Sequence, residues 1–158
     1  MKIGIIQGRL SEPKEGFQEC PIDWKREFDL LQKLGLNHIE WIITSNFKNN
    51  PIFNDNLKDY PISSVCADFM VDSRFCNYIY LSNRLKRTCE AVTHHGINNI
   101  TIPLLEKSDV NDEKVMDNFI EVFYPYTEKF KNINFLIEAE LHQDKLKKIL
   151  DLNTNIFV

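Results

Sequence analysis

The sequence predicts an α/β fold built on a parallel β-sheet, and three observations support this class. Short apolar runs alternate with longer segments whose apolar residues recur at helical spacing. The alternation continues along the whole chain, with no linker, low-complexity segment or internal repeat. Glycines follow two of the helical segments, where helices commonly end. Strands and helices in this order predict right-handed βα units whose strands lie parallel.

The first strand is predicted over Ile3–Gln7, a short apolar run near the start of the sequence. Asp23 is predicted to cap a helix that extends to Leu34 and stops at Gly35. The apolar residues of this helix recur at helical spacing and are Trp24, Phe28, Leu31 and Leu34. The second strand is predicted over His38–Thr44, where apolar residues return.

Residues 45–60 are rich in Asn and contain Pro51, which predicts a loop with room for a short helix. The third strand is predicted over Ser63–Phe69. A long helix should follow from about Cys76 to His94, and Gly96 should end it.

The fourth strand is predicted over Asn99–Leu105, with an interruption at Pro103. An amphipathic helix follows over Asp112–Lys131, in which Pro125 can introduce a kink. The remaining predicted elements are a fifth strand, a short helix and the start of a sixth strand, over Asn134–Leu141, Lys145–Leu150 and Asn155–Val158. The prediction is a single domain over residues 1–158.

Polar side chains follow the apolar part of several predicted strands. In the fifth strand, side-chain alternation puts Glu138 on the face opposite Phe135 and Ile137. The same reasoning places Gln7, Asp68 and Glu138 at the carboxyl ends of their strands, on one face that mixes polar and apolar residues. Glu40 would lie in mid-strand on the same face. In the first strand, Ile3 and Ile5 would share this face with Gln7. Ligands of α/β folds bind at the carboxyl ends. Buried carboxylates need partners, so we expect a metal or polyol site here.

Each candidate also has a structural interpretation. Glu40 could pair with an arginine, Asp68 could cap a turn, and Gln7 could serve only as a hydrogen-bonding residue. His142 follows the fifth strand and is a further candidate for contact with substrate. His38 lies at the opposite end of its strand and is not expected in the site.

Composition excludes several other classes of function. The net charge is −4 and there is no basic tract, which disfavours a protein that mainly grips nucleic acid. The four cysteines are scattered without a CxxC pair, so we expect reduced thiols rather than a disulfide framework or structural zinc. No apolar run approaches the ~20 residues of a membrane span. We therefore expect a cytoplasmic protein.

Four segments resemble one known family. They read IGIIQGRL at Ile3–Leu10, IEWI at Ile39–Ile42, SVCADFM at Ser64–Met70 and FLIE at Phe135–Glu138. These motifs resemble the sugar phosphate isomerase/epimerase family, whose members are xylose-isomerase-like (β/α)8 TIM barrels. The resemblance implies that the chain is the N-terminal portion of such a barrel, with about five βα units and the start of a sixth strand.

The resemblance also implies a chemistry. Family members hold a divalent metal, usually manganese or a similar ion, by Glu, Asp, His and Glu of the last four strands. Two of these glutamates also transfer protons at the carbon beside a carbonyl. Glu138 matches the first ligand, while Glu40 and Asp68 fall where the sugar pocket is often lined. The other three ligands would lie beyond Val158, so we expect no turnover in these residues alone and a bound divalent metal in a full-length form.

Three functions follow as alternatives. The first is a metal-dependent isomerase or epimerase acting on a keto sugar, a sugar phosphate or a related polyol. The second is a DNA-repair endonuclease with the same barrel fold, which would need histidines on the third and fourth strands. The ends of those strands contain no histidine and read CAD at Cys66–Asp68 and IPL at Ile102–Leu104. The third is a non-catalytic half-barrel that associates with another chain, or with itself, through an exposed edge.

Overall fold

The computed structural model describes residues 2–11, 19–72 and 78–158. Within these residues the chain forms a six-stranded sheet and four α-helices. The strands are β1 (Gly4–Ile6), β2 (His38–Ile42), β3 (Ile62–Cys66), β4 (Asn99–Leu104), β5 (Asn134–Ala139) and β6 (Ile156–Phe157). The helices are α1 (Trp24–Lys33), α2 (Tyr78–His95), α3 (Glu113–Lys129) and α4 (Gln143–Leu150). Short 3₁₀ turns occupy Pro51–Phe53, Asp68–Met70 and Glu106–Ser108.

The predicted α/β class and the order of its elements are confirmed. Every predicted strand and helix is present, and the 3₁₀ turn at Pro51–Phe53 is the short helix allowed within residues 45–60. The strands end earlier than predicted, at Ile42 rather than Thr44 and at Cys66 rather than Phe69. The predicted helix start at Cys76 lies outside the described residues.

Helices α1 and α3 both begin after an aspartate, but only one aspartate caps its helix with the side chain. The carboxylate of Asp112 accepts hydrogen bonds from the backbone N–H groups of Lys114 and Val115, at 2.9 and 3.1 Å. Asp23 occupies the N-cap position of α1 without a capping side-chain bond, so the predicted cap is wrong in this respect. The helix α3 runs through Pro125 and ends at Lys129.

The six strands are all parallel and lie in the same order in the sheet as in the sequence, from β1 to β6. The longest pairing joins β4 to β5, from Asn99 opposite Asn134 to Leu104 opposite Ala139. Consecutive parallel strands joined by right-handed crossovers place their helices on one side of the sheet. The helices should therefore cover one face and leave the other uncovered.

Burial along the strands agrees with this arrangement. The side chains on one face of the sheet belong to the hydrophobic core, and they are Ile39, Trp41, Val65, Ile100, Ile102, Phe135, Ile137 and Ile156. Most residues on the opposite face are half-buried or exposed, although Ile42 and Pro103 on this face are buried. We call this opposite side the open face; its residues are Gly4, Ile6, His38, Glu40, Ser64, Cys66, Asn99, Thr101, Asn134, Leu136, Glu138 and Phe157.

Aromatic side chains fill the layer between the sheet and the helices. Trp24 of α1 meets Trp41 of β2 edge to face, with ring centroids 5.7 Å apart. On the other side of the core, Phe123 of α3 meets Phe135 of β5 edge to face at 5.1 Å. Such pairs contribute about 0.5–1.5 kcal/mol beyond the area they bury. They attach the helices to the sheet and so keep the open face free of helices.

Among the described residues, no helix is long and apolar enough to cross a membrane.

Candidate functional site

The open face carries the polar residues that alternation predicts. The register places Glu40 opposite Ser64, Cys66 opposite Thr101, and Pro103 opposite Glu138. Side chains of paired residues in a sheet point to the same side. The predicted common face of Glu40 and Glu138 is therefore confirmed.

Glu40 is held at the centre of a hydroxyl network. Its Oε1 atom accepts hydrogen bonds from the hydroxyls of Ser64 at 3.2 Å and Thr101 at 2.8 Å. The Ser63 and Ser64 hydroxyls lie 3.4 Å apart. Hydrogen bonds to a carboxylate are charge-assisted and shorten the contact. The hydroxyls of Ser64 and Thr101 thus hold the Glu40 carboxylate in place on a face that solvent reaches.

Cys66 of β3 lies on the open face, between the strands that carry Glu40 and Glu138. Burial raises the pKa of the Cys66 thiol well above its usual range, and the charges of Glu40, Asp68 and Glu138 raise it further. An additional negative charge on sulfur is disfavoured where the nearby charges are negative. The thiol is therefore a neutral, weakly nucleophilic group at neutral pH.

Asp68 lies beyond the end of β3, in the 3₁₀ turn Asp68–Met70. Its pKa is raised from the ordinary value, chiefly by burial and then by the charges of Asp72, Glu19 and Glu106. Of these neighbours, Asp72 forms an ion pair with Lys107 at 2.8 Å. The carboxyl ends of β3 and β4 thus form an acidic rim next to the open face.

Glu106 on this rim has an unusual backbone. Its φ angle is +53°, a left-handed conformation that costs a non-glycine residue about 1–3 kcal/mol. The buried hydroxyl of Ser108 accepts from the Leu105 N–H at 3.0 Å and donates to the carbonyl oxygens of Pro103 and Leu105. These bonds hold the turn in place after β4.

Glu138 and His142 lie at the carboxyl end of β5. Glu138 is exposed on the open face, opposite Pro103. His142 is exposed and occupies the N-cap of α4, where its side chain makes no capping bond. Glu140 is exposed between them, and its carbonyl oxygen accepts from the Asn111 side chain at 3.2 Å. Glu138 thus lies on the open face within β5, while His142 lies beyond the end of that strand.

Gln7 has a different place from the one predicted. The register pairs Ile6 with Glu40 and Ile5 with Ile39, so Ile6 lies on the open face while Ile5 packs against the core. The predicted common face of Ile5, Gln7 and Glu40 is wrong because β1 ends at Ile6 and is one residue out of the assumed alternation. Gln7 is 1 % exposed, and its Oε1 accepts the Ile42 N–H at 3.2 Å.

The loop after Gln7 is fixed by a buried carboxylate that the sequence did not single out. Glu27 of α1 is 1 % exposed, and its Oε2 accepts the Gly8 N–H at 2.6 Å. Its Oε1 accepts the Ser11 hydroxyl at 2.5 Å. The signal available in the sequence was a charged residue between apolar ones on the inward side of a helix. Glu27 therefore anchors the first strand–helix loop.

Ser64 and Thr101 are also functional candidates that the sequence analysis did not name as site residues. Both lie on the open face beside Glu40 and donate to it. The sequence indicates these two residues only by their position, since each falls on the same side of its strand as the predicted carboxylates.

The residues present do not fit a metal ion by themselves. Among the described residues, no group of three or more His, Cys, Asp or Glu side chains is placed to hold one. A single carboxylate such as Glu138 is too few ligands for a catalytic octahedral site.

Comparison with protein-family models and with curated proteins gave no significant match.

Proposed function

We propose that the chain is the first part of a xylose-isomerase-like (β/α)8 barrel and that its open face binds a keto sugar or a related polyol. The support is the consecutive order of six parallel strands with one helix-covered face. The four sequence segments that resemble the isomerase/epimerase family lie in or directly after β1, β2, β3 and β5. We further propose a cytoplasmic location.

A single observation carries the proposed binding mode. The open face carries the carboxylates of Glu40 and Glu138, Asp68 follows the end of β3, and the hydroxyls of Ser64 and Thr101 donate to Glu40. Carboxylates accept hydrogen bonds from sugar hydroxyls, while serine and threonine hydroxyls both donate and accept. A sugar with several hydroxyl groups matches this set better than an apolar ligand does.

In the proposed isomerisation Glu138 removes a proton from the hydroxyl-bearing carbon beside the carbonyl and returns it to the carbonyl carbon, while the hydroxyl proton moves to the carbonyl oxygen. In the proposed epimerisation Glu138 removes the proton and a second acid on the opposite side of the sugar returns one to the same carbon. General base catalysis by a positioned carboxylate contributes roughly 10²–10⁴-fold to rate. The described residues do not fit a metal, so no step of this proposal uses one. Ligands that the family resemblance requires would come from residues after Val158.

The test is to titrate the chain with free keto sugars and polyols while recording ¹H–¹⁵N spectra. We expect saturable shifts at Glu138, Asp68 and Thr101. The gene product that carries any further strands should also exchange the proton beside the carbonyl with D₂O. Glu138→Gln should lower that exchange by roughly 10²–10⁴-fold. Exchange at the unchanged rate in Glu138→Gln would exclude Glu138 as the base.

Reading the coding sequence past the codon for Val158 gives an independent test. The metal-dependent form of the reaction, which the resemblance implies, requires an Asp, a His and a Glu at the ends of three later strands. Their absence would exclude the metal-dependent isomerase.

A second proposal is a non-catalytic half-barrel that associates through its open face. The observation that favours it is the exposure of apolar side chains on the first and last strands, Ile6 at 41 % and Phe157 at 45 %. A well-folded dimer of the 158-residue chain in light scattering would support association. A monomer at all concentrations would exclude self-association.

A further inference from the structure

A separate pocket lies on the open face near the amino ends of the first three strands. It has a volume of about 220 Å³ and is lined by Gly4, Ile6, His38, Glu40 and Ser64, with Ser63 and Ile5 at its border. Pockets for drug-sized ligands are larger, ~300–1,000 Å³. This pocket therefore suits a small molecule or one end group of a larger ligand.

The shape of the pocket depends on Gly4. A Cβ atom added to Gly4 would lie 2.1 Å from Nε2 of the His38 ring, far closer than side-chain atoms approach. The ring of His38 thus rests directly against the backbone of β1, and the register pairs the two residues. Glycine at this position is what lets the imidazole form one wall of the pocket.

The carboxylate of Glu40 is poised to bind a further donor. Both hydroxyl donors, from Ser64 and Thr101, bind the same oxygen, Oε1. A carboxylate has about four acceptor positions on two oxygens, and no hydrogen bond among the described residues reaches Oε2. None of the ion pairs formed within residues 2–11, 19–72 and 78–158 involves Glu40. Its negative charge has hydrogen bonds but no counter-charge in this part of the chain.

The charge of the whole open face has one sign. The strand residues on this face include no Lys or Arg, whereas Glu40 and Glu138 are acidic and Asp68 lies close by. Charges of one sign along a face attract ligands of the opposite sign and repel those of the same sign. A cationic group is therefore favoured over a neutral one, and an anion is disfavoured.

We propose that this pocket binds the primary ammonium group of a small ligand, with Glu40 as its counter-charge. An ammonium group has three N–H donors. Oε2 of Glu40 accepts one, the Ser64 hydroxyl oxygen accepts another, and a ring nitrogen of His38 accepts the third. Bonds between charged groups are about twice as strong as neutral ones, so the ammonium is preferred over a hydroxyl in the same place.

This pocket is distinct from the proposed sugar site at the carboxyl ends, although Glu40 contacts both. The two proposals are therefore tested by different ligands. Loss of ammonium binding would leave the effect of Glu138 on keto sugars unchanged.

The experiment compares three small probes that differ mainly in charge: 2-aminoethanol, ethylene glycol and glycolate. Each is titrated at pH 7 and low salt into the 158-residue chain while ¹H–¹⁵N spectra are recorded. We expect saturable shifts of the Gly4, Glu40 and Ser64 amides with 2-aminoethanol at millimolar concentrations, as befits a ligand of so few atoms. Ethylene glycol should bind at least about tenfold more weakly, and glycolate should not bind.

Glu40→Gln removes the charge and keeps an amide oxygen that can accept from Ser64 and Thr101. We expect it to weaken 2-aminoethanol at least about tenfold and to leave ethylene glycol unchanged. Glu140→Gln, an exposed rim residue, is the matched control and should bind 2-aminoethanol normally. The comparison of the three probes uses the unaltered chain. It therefore tests the preference for an ammonium group even if Glu40→Gln fails to fold.

Three results would overturn the proposal. Equal affinity for ethylene glycol and 2-aminoethanol would show a pocket for neutral hydroxyl groups. Unchanged binding of 2-aminoethanol to folded Glu40→Gln would remove the counter-charge role. Shifts confined to the carboxyl ends of the strands would place the cation elsewhere on the face.

Discussion

Individual carboxylates of this protein differ in how well their surroundings support the charge. Glu27 is fully buried and receives two hydrogen bonds, and Glu40 receives two from hydroxyls. Asp68 lies instead among other acids, and its pKa is raised. A residue kept at a cost to stability is a common feature of functional sites. Asp68 is therefore the carboxylate in the described part of the chain whose charge is most clearly opposed by its surroundings.

Replacement of Asp68 by Asn should stabilise the protein at neutral pH. The raised pKa means that the folded state holds the proton more tightly than the unfolded chain does. Stability from this group is therefore highest below pH 3.8, the ordinary value, and falls as the pH rises through the raised pKa. Since Asp68 is half exposed and its repulsions are screened, Asp68→Asn should gain at most about 0.5 kcal/mol at pH 7.

Urea unfolding at pH 7 and again well below pH 3.8 measures this difference. The gain should disappear at the lower pH, because the aspartate is then neutral in both states. Asp144→Asn is the control, an exposed acid on α4 away from this rim. A gain of equal size at both pH values would show that charge is not its cause.

Side-chain positions were predicted correctly in β2 and β5 but not in β1. Glu40 and Glu138 follow from a period of two residues, and both lie on the predicted face. In β1 the period was assigned to the wrong face, since Ile6 rather than Ile5 lies on the open face and Gln7 is buried in the turn that follows. The hydrogen bonds from Ser64 and Thr101 to Glu40 join residues 24 and 61 positions apart, which local sequence does not encode.

An aspartate occupies the N-cap position of both α1 and α3, but only the aspartate of α3 forms capping hydrogen bonds that stabilise its helix. Asp112→Ala should lower the free energy of unfolding by about 1 kcal/mol, since two backbone N–H groups of α3 lose their acceptor. Asp23→Ala removes no capping bond from α1 and should change it by less than about 0.5 kcal/mol.

Urea unfolding of both variants makes this a matched comparison. Asp112→Asn should recover most of the loss, because its side-chain oxygen still accepts. Equal losses in the two alanine variants would mean that capping bonds do not distinguish these helices.

Element boundaries were predicted less well at the carboxyl ends of strands than at their beginnings. Ile43, Ala67 and Phe69 are all buried, although each lies past the end of its strand. A hydrophobic pattern in the sequence indicates that residues are buried, and residues in loops over the edge of the sheet are also buried. The strand itself ends earlier, where the backbone turns away from the neighbouring strand and hydrogen-bonded pairing stops. The predicted strands are therefore longer than the observed strands at their carboxyl ends.

At the scale of the whole molecule, pairing is strongest in one half of the sheet. Six residue pairs join β4 to β5, while two join β5 to β6 and three join β1 to β2. Local stability follows the number of buried contacts and paired groups around a segment. The amide protons of β4 and β5 should therefore exchange with solvent more slowly than those of β1 and β6.

Native-state hydrogen exchange followed by NMR or mass spectrometry measures this order. We expect the amides of β4 to be protected at least about 100-fold more than those of β6, which corresponds to about 2.7 kcal/mol. Uniform protection across all six strands would show that the sheet opens only as a unit. In that case the two edges would be as stable as the centre.

The order of strands in the sheet also bears on how the chain is made. Each strand lies beside the one synthesised just before it, so none has to wait for a partner encoded far downstream. Folding from the amino terminus during synthesis is the usual course for such units, and nearby partners speed it. The nascent chain can thus add one βα unit at a time as it leaves the ribosome, with each new strand closing the edge that its predecessor left open.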